Sequence, residues 1–147
     1  MKTLDTKDLN DRKIELERYR DALKGAKSAL DAAGYPVGTP RDRIKESDWH
    51  LNESLDRAFD DFGEAEAEEL AELEELESEI SEWRHGETLI RDCDFVEYVE
   101  DMLKDCGNLP KDIPWYVAID WQKTADNIAI DYSIVTYQGQ DYYVRNC

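Results

Sequence analysis

A leucine at every seventh position, Leu9, Leu16, Leu23 and Leu30, constrains this chain more than any other feature. A seven-residue apolar repeat returns to almost the same side of an α-helix every two turns, so it marks a seam that another helix must cover. Tyr19, Ala26 and Ala33 fill the companion position three residues on, and Arg12 is the exception. The repeat predicts a helix over Thr6 to Ala33. Gly34 ends it, and the run GYPVGTP from Gly34 to Pro40 is a turn-rich break.

A second seam lies downstream. Ser47 or Asp48 is placed to cap a helix, and Leu55, Phe59, Phe62, then Leu73, Leu76, Ile80 and Trp83 recur at spacings of four and three. These predict one helix of roughly 36 residues, about 54 Å long. Glu66 and Glu69 occupy seam positions in its middle, where a carboxylate cannot be buried without cost. Either the seam shifts onto Ala65 and Leu70, or that stretch is exposed. The two helices predict a long antiparallel, coiled-coil-like hairpin, with residues near 23–30 opposite residues near 51–59.

Residues 87–147 have a different pattern. Asp92 or Asp94 caps a helix with the apolar face Phe95, Tyr98, Val99, Met102, Leu103 and Cys106, and Gly107 stops it. Leu109 to Pro114 is a loop, and Asp120 caps a further helix carrying Trp121, Ala125, Ile128 and Ala129. Ser133–Tyr137 and Asp141–Arg145 are rich in β-branched and aromatic residues around Gln138-Gly139-Gln140, which predicts a β-hairpin packed on the two helices. The expected fold is α+β and mostly α: a helical hairpin over residues 1–86, then a small two-helix plus β-hairpin module over residues 87–147.

Charge separates the chain differently. The 36 acidic residues outnumber the 18 basic ones, for a net charge of −18. Residues 1–57 are neutral, residues 58–83 hold 12 acidic and no basic residues, and residues 84–147 carry −6. The acidic run is Asp60, Asp61, Glu64, Glu66, Glu68, Glu69, Glu72, Glu74, Glu75, Glu77, Glu79 and Glu82. On a continuous helix its charges would recur every ~3.3 Å, near the ~3.4 Å phosphate spacing of one DNA strand. Solvated helices ordinarily intersperse Lys to gain pairs four residues apart, and this run forgoes them. Such a surface disfavours direct binding of nucleic acid or anionic membrane and suits a basic groove.

The search for catalytic chemistry is negative. The sequence has no Gly-rich phosphate loop, nucleophile elbow or EF-hand pattern. His50 and His85 each lack a second ligand at metal spacing, and Cys93, Cys106 and Cys147 form no paired motif. Neither an enzyme, nor a cofactor, nor a metal site is expected. Three unpaired cysteines fit a reducing compartment, no segment approaches a membrane span, and the polar N-terminus lacks a signal-peptide core.

The run Arg91-Asp92-Cys93-Asp94-Phe95-Val96-Glu97-Tyr98-Val99-Glu100-Asp101, then Cys106-Gly107, a Pro-containing loop, Ala118-Ile119-Asp120-Trp121-Gln122-Lys123-Thr124-Ala125, Asp131-Tyr132 and a final hairpin with Tyr142-Tyr143-Val144 resembles a module of the ArdA antirestriction family. The resemblance covers about residues 88–145. Uncharacterised proteins of tailed bacteriophages are similar further upstream, through the Glu-rich helix. The resemblance implies an elongated DNA mimic acting in the bacterial host cytoplasm, with a restriction–modification enzyme or a CRISPR effector as target. The expected function is counter-defence: the carboxylates of the acidic run bind and block a host complex that handles nucleic acid through a basic groove. The alternative is a coiled-coil scaffold built on the leucine repeat. Trp115, Tyr116, Tyr137, Tyr142 and Tyr143 are many aromatics for so small a module, and they are candidates for self-association into a homodimer.

Overall fold

A computed structural model describes residues 3–107, 109–110 and 112–146. They are α+β and mostly helical, with one four-stranded antiparallel sheet. The elements are β1 (Thr3–Asp5), α1 (Thr6–Ala32), α2 (Trp49–Asp61), α3 (Glu64–Glu79), β2 (Thr88–Arg91), α4 (Phe95–Asp105), α5 (Trp121–Ile128), β3 (Tyr132–Tyr137) and β4 (Gln140–Arg145), joined by loops and short 3-10 turns. Two compact units emerge. One is Asp11–Glu74, and the other joins the residues up to Asn10 with those from Glu75 onward. The chain therefore does not divide between residues 86 and 87. β1 pairs with β2, Thr3 opposite Ile90 and Leu4 opposite Leu89, and this carries the N-terminal segment into the C-terminal unit.

In the helical unit the heptad leucines Leu16, Leu23 and Leu30 are buried. Leu23 and Leu30 cluster with Ile44, Leu55 and Ala58, and Tyr35, Trp49, Leu51 and Phe62 pack around them. Gly34, at φ 91°, closes α1 in the left-handed conformation that L side chains avoid. The Tyr35 N–H then donates to the Leu30 carbonyl at 3.0 Å and the Gly34 N–H to Asp31 at 2.9 Å, the paired bonds of a Schellman cap. Asp48 stands at the N-cap of α2 without bonding its amides, and accepts instead from the Tyr35 hydroxyl at 2.9 Å.

The single long second helix does not form. α2 ends at Asp61, Phe62 leaves helical geometry, and α3 starts afresh at Glu64. The Gly63 N–H donates to the Glu66 carboxylate at 3.2 Å, the reach-back half of a capping box. Glu66 thus caps a helix start and is not a buried seam residue. The interruption resets the apolar face onto Leu70, Leu73, Leu76 and Ile80, all buried. Ala65 stays exposed. Phe59 is exposed as well, with the Lys27 ammonium 5.2 Å from its ring centre, and Leu55 and Ala58 hold the buried side of α2.

The second unit is built on the sheet, in the order β1-β2-β4-β3. The expected hairpin is there, and β2 and β1 extend it. Gln138 (φ 50°) and Gly139 (φ 73°) form its two-residue turn, both left-handed as a type I′ turn requires. Ile90 lies on one face of β2, clustered with Phe95, Val99 and Ala125 of the helices and with Tyr132 and Tyr143. Leu89 points the other way, on the face that carries Val135, Tyr137, Tyr142 and Val144, all buried. β2 is buried on both faces, which is why its sequence is a plain apolar pair with no alternation. The Asp120 carboxylate accepts from the Lys123 amide at 3.0 Å and caps α5 as expected. Cys106 lies beyond the end of α4 and is exposed, a correction to its placement in the core: Gly107 at φ 67° ends the helix before that turn can close on the sheet. Cys147 lies outside the described residues.

Among the described residues of this unit, Thr6 is the fully buried polar one. Its Oγ1 donates to the Trp83 carbonyl at 2.8 Å and accepts from the Glu87 N–H at 2.7 Å, and its own N–H donates to the Glu87 carbonyl at 2.9 Å. The Trp83 indole N–H donates to the Asn10 side chain at 2.8 Å. The first turns of α1 are thereby tied to the turn that leads into β2.

Candidate functional site

α3 is the charged centre of the chain. Its 16 residues, EAEAEELAELEELESE, include nine glutamates and no basic residue. At about 1.5 Å per residue it is roughly 24 Å long, shorter than the rod expected from an unbroken acidic helix because the run is divided. Asp60 and Asp61 end α2, both exposed, and Glu82 stands after α3, 3.6 Å from the His85 imidazole.

The glutamates of α3 separate by role. Glu66 caps the helix. Glu69 receives a two-pronged contact from Arg12 of α1, with Nε at 2.9 Å and an Nη at 3.0 Å. Arg12 is the residue that interrupts the heptad companion positions, and Glu69 is the acid at a seam position. The two departures from apolar pattern are each other's partners, a pairing that charge complementarity at matching seam positions would have signalled. Arg12 also donates to Glu15 at 2.7 Å, and Arg20 reaches Glu74 at 3.4 Å. Glu72 and Glu77 are half-buried. Glu64, Glu68, Glu75 and Glu79 are exposed. At 100° per residue these four fall within a sector of about 60° on the side away from Leu73 and Leu76.

The exposed face and last turn of α3 are electrostatically unfavourable. Like charges four residues apart recur at Glu64/Glu68, Glu68/Glu72 and Glu75/Glu79, each opposing the helix by about 0.2–0.5 kcal/mol. The last turn holds carboxylates and no basic residue, against the negative end of the helix dipole. Around Arg12 the balance is reversed. Its hydrogen bonds to Glu69, then to Glu15, hold its guanidinium well above the usual range. Arg12 in turn holds the Glu15 carboxyl below the usual carboxylate range, with help from the Tyr19 hydroxyl, and Glu15 pushes the Tyr19 phenol up.

The aromatic candidates for self-association divide as well. Trp115 and Tyr116 are exposed, at 94% and 72%, with their rings edge to face at 5.7 Å. Tyr137 and Tyr142 are buried, and Tyr143 stacks on Phe95 at 4.1 Å. Tyr137 and Tyr142 belong to the core because the sheet's alternation turns them toward a packed face, which corrects their placement at a surface; Tyr143 is half-buried. Among the described residues, no group of three or more His, Cys, Asp or Glu side chains could hold a metal ion, and no helix is long and apolar enough to cross a membrane. The His50 ring lies 3.0 Å from the Ser47 carbonyl. No protein-family model, no curated protein and no solved structure matches the chain.

Proposed function

We propose that the chain is a DNA mimic: a phage or mobile-element counter-defence protein that binds and blocks a DNA-handling host complex, a restriction–modification enzyme or a CRISPR effector, in the host cytoplasm. The observation that carries this reading is α3 itself. Its 16 residues hold nine glutamates and no lysine or arginine; Glu66, Glu69 and Glu74 have partners, but the exposed pairs Glu64/Glu68 and Glu75/Glu79 repel, and the carboxylates of the last turn oppose the dipole. A helix selected only to cover a core gains nothing from the repulsion among its exposed glutamates. A helix that presents carboxylates to a basic groove does, because the field of many fixed charges steers and holds a cationic partner. Glu64, Glu68, Glu75 and Glu79 form the exposed face, while Glu69 and Glu74 pair with Arg12 and Arg20 of α1. The mechanism is competitive occupation of the groove, without covalent chemistry, cofactor or metal.

The scaffold alternative draws on the leucine heptad. Leu16, Leu23 and Leu30 are buried within the chain, so that seam has little left to offer another molecule.

The test is the triple variant Glu68→Lys, Glu75→Lys, Glu79→Lys. It leaves α3 with six carboxylates against three ammonium groups, and lysine is a good helix former. Each exposed pair is worth about 0.2–1 kcal/mol, so removing three and reversing their sign should weaken inhibition of a purified DNA-dependent defence nuclease roughly 100-fold. Inhibition by the wild type should also fall steeply with salt. Equal inhibition by wild type and a folded triple variant removes α3 from the mechanism.

A further inference from the structure

Among the described residues, β3 is the outer strand of the sheet, bonded to β4 on one side only. The phase of its hydrogen bonds is set by the two-residue turn and by the Asn146 N–H, which donates to the Asp131 carbonyl at 2.8 Å. Residues of an antiparallel strand alternate between facing the partner strand and facing away. Ser133, Val135 and Tyr137 therefore turn their backbone groups to β4, and Tyr132, Ile134 and Thr136 turn theirs to the open edge. The strand, YSIVTY, has no charged residue, no proline and no glycine. It carries none of the devices by which edge strands are kept from pairing. Ile134 is 59% exposed, and Ile130, just before the strand, is 80% exposed.

We infer that this edge pairs with the same edge of a second copy of the chain, antiparallel about a two-fold axis at Ile134, to make one continuous eight-stranded sheet. The open groups, at residues 132, 134 and 136, are symmetric about Ile134. Self-pairing sets Ile134 opposite its own copy and Tyr132 opposite Thr136, so every open N–H and C=O of those residues finds a partner. Charge selects the occupant. In a chain of net charge −18, this neutral strand is a place where two copies meet without opposing like charges. A basic segment of another protein would be drawn to the carboxylates instead. The dimer contact thus lies at the sheet edge and not at Tyr137 or Tyr142, and it holds whether or not the chain mimics DNA.

Sedimentation velocity of the full chain over a range of concentrations tests this. The wild type should dimerise, more tightly as salt screens the net charge. Ile134→Pro removes an N–H that the β3–β4 ladder does not use, so the fold should survive with an unchanged circular dichroism spectrum. The substitution deletes two bonds across the axis and should raise the dimer dissociation constant about 30-fold. Ile134→Lys, which sets two ammonium groups face to face, should weaken the dimer as well. In a background with Cys93→Ser, Cys106→Ser and Cys147→Ser, Ile134→Cys should oxidise to a covalent dimer and Thr136→Cys should not. The expected separation across the axis is ~5.5 Å between Cα atoms for the first and ~13 Å for the second. A wild type that stays monomeric at every concentration overturns the proposal and leaves the edge to an extended segment of another protein. A dimer indifferent to Ile134→Pro and Ile134→Lys, or one that cross-links equally through both cysteines, overturns it too.

Discussion

Replacing Thr6 with Val keeps the volume of the side chain and one of its methyl groups, and exchanges the hydroxyl for a second methyl. Thr6 is fully buried, and its hydroxyl makes two hydrogen bonds, to the Trp83 carbonyl at 2.8 Å and from the Glu87 N–H at 2.7 Å. Both partners are backbone groups, and both lose their bond when the oxygen goes. A buried polar group left unsatisfied costs about 1–3 kcal/mol, and the bond to Glu87 is only partly buried and draws the lower figure. Thr6→Val should therefore destabilise the chain by about 2–4 kcal/mol. Thr6→Ser supplies the control. It keeps the hydroxyl and deletes one buried methyl group, which should cost about 1 kcal/mol. Val and Ser have similar helix propensities, so the comparison isolates the hydroxyl. Urea unfolding followed by circular dichroism measures both, and the slope should stay constant while the midpoint moves. In thermal scans the Val variant should melt roughly 5–15 °C lower. If Thr6→Val lies within about 0.5 kcal/mol of wild type, or costs less than Thr6→Ser, the tie between α1 and the turn before β2 contributes little and the reasoning from its hydrogen bonds fails.

Gln138 sits at φ 50° in a turn whose preferred pair is Asn-Gly, so Gln138→Asn should raise stability by up to about 1 kcal/mol, seen as a higher urea midpoint; a lower midpoint would mean that the Gln138 side chain itself supports the hairpin. Glu15→Gln should lower the pH at which the Tyr19 phenol ionises, seen as tyrosinate absorbance, because the Glu15 carboxylate is the main cause of its raised value. The sign for stability follows. A phenol raised by folding adds stability below its unfolded value and loses it as pH rises through the folded one, whereas the lowered Glu15 adds stability above its unfolded value and loses it as pH falls through the folded one. The Glu15→Gln variant should have a flatter stability profile at both ends.

What the amino-acid sequence determined by itself is local. The Leu9 to Leu30 repeat with Gly34 behind it specified α1, since helix periodicity and a left-handed stop depend on residues within a few positions of each other. The same holds for Asp120 capping α5 and for the Gln138-Gly139 hairpin. The acidic run was equally legible as composition, but not which of its carboxylates face water. Tertiary structure decided that, because the break at Phe62–Gly63 rotates the face of α3 onto Leu70 and Leu73 and leaves Glu64, Glu68, Glu75 and Glu79 outside. It also made Arg12 and Glu69 partners. β1 and β2, at three and four residues, are too short to declare themselves as strands. They exist because Thr3–Asp5 meets Thr88–Arg91 across more than eighty residues of chain. Tyr137 and Tyr142 became core and Trp115 surface for the same reason: a short-range pattern shows that a residue is aromatic and on a strand or loop, and only the packing of distant segments decides which face of the sheet is covered.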